Sequence, residues 1–134
     1  MLRVPAGRRG KRPYTRPVPS QRELVLRSIE EFLAEAAALR EALRRTEAQL
    51  RAVSRQIVAG ATVSDVLVRA PQSEPRRDLS ERMDALEQAR LRYRRFLVAV
   101  AQDEGLSLGE IARRWGFSRQ LVSRYAKEAA DAET

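Results

Sequence analysis

The stretch Ser107-Leu108-Gly109-Glu110-Ile111-Ala112-Arg113-Arg114-Trp115-Gly116-Phe117-Ser118-Arg119-Gln120-Leu121-Val122-Ser123-Arg124-Tyr125-Ala126-Lys127 decides how this chain is read. Ser107 followed by Glu110 has the spacing of a capping box, which satisfies free amide donors at a helix start. The helix it opens is predicted to end at Trp115. Gly116 suits the left-handed backbone of a sharp turn, and Phe117 follows as an apolar plug. Ser118 then caps a second helix, predicted to run to about Ala130. Ile111 and Trp115 share one face of the first helix, and Leu121, Val122 and Tyr125 form the inner face of the second. Ala112 is small where the two helices approach most closely. These residues are the predicted core of the pair. The outward face of the second helix carries Arg119, Gln120, Ser123, Arg124 and Lys127. From Leu108 to Lys127 there are five positive charges and one negative.

This pattern, uninterrupted over the stretch, resembles the helix-turn-helix of bacterial transcription regulators, phage repressors, resolvase-type recombinases and the promoter-reading end of sigma factors. Ala112, Gly116, Ile111, Trp115, Phe117, Val122 and Tyr125 carry the resemblance. It implies double-stranded DNA as a partner and a reading helix at 118–130 lying in the major groove. Gln120 suits adenine, and Arg119 or Arg124 suits guanine, because each makes two parallel hydrogen bonds to a base edge. Ser118, Ser123 and Lys127 then meet mostly phosphate. Ser107 opens a helix whose positive end points at the backbone. Arg113 and Arg114 lie on the non-reading helix and are read as a solvated face. The long helix upstream is not part of the common pattern, so the subfamily stays open.

Working outward, Asp78 is predicted to cap a preceding helix that ends near Glu104, before Gly105. Its apolar stripe is Leu79, Met83, Leu86, Tyr93, Leu97 and Val100, with Arg90 as the exception. The helix-turn-helix domain then spans 78–130, with a tail at 131–134. Further upstream, Ser20 and Glu23 form another capping box. After it Val25, Ile29, Phe32, Ala36, Leu39, Leu43, Thr46, Leu50, Val53 and Ile57 alternate spacings of four and three residues. That is a heptad seam, and it predicts a coiled-coil or bundle helix over about 20–59 that stops at Gly60. Thr46 and Arg90 are candidate register-setting positions in the two stripes. Such a rod needs a partner helix. The pattern fits an antiparallel pair within the chain as well as a dimer, and the reading favours a homodimer through 20–59. Residues 61–77 read as a linker with a short helix from Thr62 to Arg69, then a loop around Pro71 and Pro75. The expected fold class is therefore all-α: a long heptad helix followed by a trihelical helix-turn-helix domain.

The chain has 134 residues, a net charge of +8, and neither cysteine nor histidine. The missing residue types exclude disulfides, thiol nucleophiles, zinc sites of the usual kind and histidine acid–base pairs. With no Gly-rich phosphate loop and no paired carboxylates at a defensible spacing, the reading is a non-enzyme without cofactor. No apolar run approaches the ~20 residues of a membrane span, and no secretory leader is expected. The expected setting is the cytoplasm, at the nucleoid. Nearly all the excess charge sits in residues 1–20, which hold six positive charges and no acid. With Pro5, Pro13, Pro17 and Pro19, the segment 1–19 reads as a disordered basic arm.

The primary functional expectation is a dimeric regulator that reads DNA sequence. The alternative is a coiled-coil adaptor or scaffold that docks on the transcription or chromosome-segregation machinery through its rod and carries a weak helix-turn-helix. If the arm adds only sequence-blind attraction, deleting residues 1–19 lowers DNA affinity on all sequences alike and flattens its salt dependence. A titration of binding against salt checks this, and a loss confined to one sequence would show that the arm reads bases.

Overall fold

The computed structural model describes residues 19–69 and 73–132, and all regular structure among them is helical. The elements are α1 (Gln21–Val58), α2 (Val63–Arg69), α3 (Ser73–Asp103), α4 (Leu108–Trp115) and α5 (Arg119–Ala132). The chain is thus all-α, as its patterning predicts. The basic arm, apart from Pro19, lies outside the described residues, as do Pro71 and the last two residues of the tail.

The start of α1 is built from the box expected of it. Ser20 Oγ accepts the Glu23 N–H at 3.2 Å, and the Ser20 N–H donates to Glu23 Oε2 at 3.2 Å. The helix ends where Ala61 N–H donates to the Gln56 carbonyl and Gly60 N–H to that of Ile57. Its 38 residues make a rod about 57 Å long at 1.5 Å per residue. Thr62 is the cap of α2 rather than its first residue, since Thr62 Oγ1 accepts the Asp65 N–H at 3.1 Å.

Most of the seam of α1 is occupied by α3 of the same chain, while Leu43, Leu50 and Ile57 stay 40–57% exposed. Phe32 and Tyr93 meet edge to face with ring centroids 5.2 Å apart. Glu31 pairs with Arg92 at 3.1 Å and Arg45 with Asp78 at 3.3 Å. The step from Glu31 to Arg45 along α1 equals the step from Arg92 back to Asp78 along α3, so the helices run antiparallel in constant register. Val25, Ala42 and Ala89 are buried in the described fold. The surface ion pairs add little energy; apolar burial along the seam supplies most of it. The polar positions make local contacts. Thr46 Oγ1 donates to the Ala42 carbonyl of its own helix at 3.0 Å, and Arg90 pairs with Glu87 one turn away.

Asp78 is not a helix cap. The third helix begins at Ser73, so Asp78 lies inside it and binds Arg45 and Arg82 instead. Pro75, read from sequence as a helix breaker, falls in the first turn of α3. The amide donors there have no acceptor within the helix, so a missing N–H costs nothing.

The C-terminal half of α3 also packs against α4 and α5. Val98, Ile111, Ala112, Val122 and Tyr125 form the buried centre, with Leu91, Leu106, Phe117 and Leu121 partly buried around it. Trp115 departs from expectation: it keeps 43% of its surface exposed. It sits at the last turn of α4, beside a cleft lined by Leu26, Leu97 and Leu106, with its ring edge-on to Phe117 at 5.8 Å. Periodicity gives the side of a helix a residue occupies, but not how far the neighbouring element extends to cover it. Val98 and Val122 have no exposed surface. Val98→Ala is expected to lower stability by about 2 kcal/mol, read as a shift in the denaturant midpoint with unchanged slope.

Candidate nucleic-acid interface

The turn between α4 and α5 sets the direction of the second helix. Gly116 adopts φ 69° and ψ 24°, the left-handed conformation. The Phe117 N–H donates to the Ala112 carbonyl at 3.0 Å, which folds the chain back on the helix it leaves. Ser118 then starts α5: its Oγ accepts the Leu121 N–H at 3.1 Å and its carbonyl accepts that of Val122. The helix expected at 118–130 is observed at 119–132, with Ser118 as its cap.

All seven expected contact residues lie at the surface. Arg119, Gln120, Ser123, Arg124 and Lys127 are exposed along one face of α5, opposite the buried Val122, Tyr125 and Ala129. Arg119, Gln120 and Ser123 together line one shallow concavity. Ser118 and Ser107 are exposed caps. Ser107 is apart from the α5 group, at the start of α4, and its hydroxyl is already engaged. Its Oγ accepts the Glu110 N–H and donates to Glu110 Oε1, both at 3.2 Å. The Glu110 carboxylate therefore holds the cap's hydroxyl rather than the cap's backbone amide.

The electrostatics separate two groups of cations. On α3, Arg82, Arg90, Arg92 and Arg95 each hold a carboxylate. Arg113, Arg114, Arg119, Arg124 and Lys127 hold none among the described residues. Glu128, an acid in the middle of α5, is drawn to the rear, where Arg95 Nε reaches it at 2.6 Å. The outward face of α5 thus presents Arg119, Arg124 and Lys127 next to the amide of Gln120, with the exposed Asp131 one turn beyond Lys127.

Arg94, not singled out from sequence, joins these parts. Its guanidinium carbon lies 4.7 Å from the centroid of the Phe117 ring, and Nη1 donates to Tyr125 Oη at 3.3 Å. Phe117 in turn meets Tyr125 edge-on at 6.3 Å. One side chain of α3 therefore clamps both the turn and the inner face of α5. Partial burial works against its charge, but hydrogen bonding and attraction from Tyr125 and Tyr93 raise its pKa above the ordinary arginine value. It stays a cation, as the contact with the ring requires. The available signal was that Arg94 falls four residues before Val98, on the side of α3 that faces the turn. A lone charge on a long helix otherwise reads as solvated.

Among the described residues no group of three or more acidic side chains is placed to hold a metal ion, and no helix is long and apolar enough to cross a membrane. A Cβ built at Gly116 meets nothing within 4 Å, so a substitution there is opposed by backbone conformation alone. Gly116→Ala is expected to cost about 1–2 kcal/mol and Gly116→Asn less, because Asn tolerates the left-handed region. Thermal melts of the two variants check the order. Comparison with protein-family models, curated proteins and solved structures finds no match.

Proposed function

We propose that this chain binds double-stranded DNA sequence-specifically as a transcription regulator of the helix-turn-helix type, with α5 as the reading helix in the major groove. One observation carries the reading: Arg119, Arg124 and Lys127 stand exposed and without carboxylate partners on the same face as Gln120 and Ser123. Unpaired arginines such as Arg40 also stand exposed on α1, but on α5 they share one face with the hydrogen-bonding side chains of Gln120 and Ser123. On α3, by contrast, carboxylates pair with most of the exposed arginines that follow Asp78. Arg119, Gln120 and Arg124 have the donors to read guanine and adenine edges. Ser123 and Lys127 suit phosphate, and Ser118 holds the start of α5 in shape. Ser107 contributes by orienting α4, whose first-turn amides face outward toward a phosphate.

The clamp of Arg94 on Phe117 and Tyr125 supports this assignment by fixing how α5 is presented. Specific reading by a head this small uses two half-sites, hence two copies of the chain. α3 of the same chain takes up most of the α1 seam, so on this reading the copies meet on what it leaves uncovered. On this reading the protein works in the cytoplasm, at the nucleoid, without cofactor or catalytic step.

Selection from random duplex DNA, followed by anisotropy titration of the enriched site, tests the proposal. Arg119→Ala or Gln120→Ala is expected to cost about 1–3 kcal/mol and to relax base choice at one position of the site. Recovery of no enriched sequence, with uniform weak binding, sinks specific reading.

A further inference from the structure

The hairpin leaves one side of α1 uncovered. Leu26, Leu33, Leu43, Leu50 and Ile57 are 40–62% exposed, the last three at seam positions that α3 covers only in part. Three of them directly follow residues on the α3 side of the helix: Leu26 after Val25, Leu33 after Phe32 and Leu43 after Ala42. Each is therefore turned about 100° from that neighbour, in the same sense. Heptad steps carry the row on from Leu43 to Leu50 and Ile57. In an antiparallel pair the same turn leads to the same broad side of both helices, and on α3 it reaches Met83, which is 55% exposed. The result is an apolar stripe beside α3, in which Leu43, Leu50 and Ile57, seam positions that α3 leaves partly uncovered, adjoin Leu26 and Leu33.

We infer that this stripe is the contact between two copies of the chain, packed with their α1 helices antiparallel across a twofold axis near Leu43 and Arg44. The occupant follows from complementarity within the stripe itself. Arg40 lies in the row, exposed and without a carboxylate partner. Glu47 lies one heptad further on, exposed and holding only Arg51 at 3.4 Å. A twofold axis midway between them brings Arg40 of each copy to Glu47 of the other, twice. The same axis sets Leu50 of each copy over Ala36 and Ala37 of the other, small residues that accept a large one.

The overlap of the two α1 helices, from Glu30 to Ile57, is about 42 Å long and about 10 Å wide, or about 420 Å² per copy. That is about 840 Å² in all. The strip of α3 around Met83 on each copy carries the total toward the ~1,200 Å² at which specific interfaces begin. A patch of this extent matches the largest on a typical single-chain protein, which is often an interaction site. The inference deepens the two-copy part of the proposed function and stands without its DNA part.

Light scattering of the full chain without DNA tests it. The expected mass is twice the 15.2 kDa of one chain. The double variant Leu43→Glu/Leu50→Glu is expected to give the single-chain mass with its helical circular dichroism intact. Arg40→Glu is expected to weaken the dimer about tenfold, and adding Glu47→Arg in the same chain to restore it. A single-chain mass for the unmodified protein, a dimer indifferent to the leucine changes, or no rescue by the charge swap overturns the inference. Anisotropy on a single half-site separates the two proposals. Lost dimerisation with intact half-site binding refutes only the interface, and the reverse refutes only the DNA reading.

Discussion

The double burial of the C-terminal half of α3 is the constraint on which the rest of the molecule depends. On one side Tyr93 meets Phe32 of α1; on the other, Val98 is sealed against the core of α4 and α5. One helix therefore belongs to two cores. The orientation of the terminal helix pair relative to the rod is fixed by neighbouring side chains of a single rigid element, not by a linker. Arg94 and Arg95 extend that arrangement into polar contacts. One reaches the turn and Tyr125, the other reaches Glu128, and both tie α5 to α3 from behind.

Two consequences follow for charge. Several carboxylates of the hairpin pair with its own arginines, and residues 21–104 together carry only one excess positive charge. On α5 Glu128 is turned to the rear, and Arg119, Arg124 and Lys127 hold no carboxylate among the described residues, with Asp131 exposed one turn beyond Lys127. Net charge alone did not reveal this, since residues 105–134 carry only one excess positive charge. The partition arises because Glu128 and Arg95 find each other across two helices.

Much of the local structure was legible in the residues. Ser20 with Glu23, Ser118 and Gly116 act through backbone chemistry confined to a few neighbours, so their effect can be read where they stand. The outward face of α5 was legible for the same reason, because 3.6-residue periodicity separates Val122 and Tyr125 from Arg119 and Gln120. What could not be read was long-range. A heptad seam is the same whether its partner is in the same chain or another, so the pairing of α1 with α3 was not decided by pattern. Asp78 reads as a cap because Pro75 looks like an interruption, whereas a helix tolerates proline in its first turn. The exposure of Trp115 and the clamp by Arg94 depend on distances between elements, which no spacing along one helix encodes.

The half-open position of Trp115 has a practical consequence. It is the chain's one indole, it stands beside the Gly116 turn, and its ring borders both Phe117 and the cleft toward α1. Its fluorescence therefore monitors the junction of rod and head from within, with no dye attached. A blue shift in emission marks a drier junction, and a red shift marks water entering it.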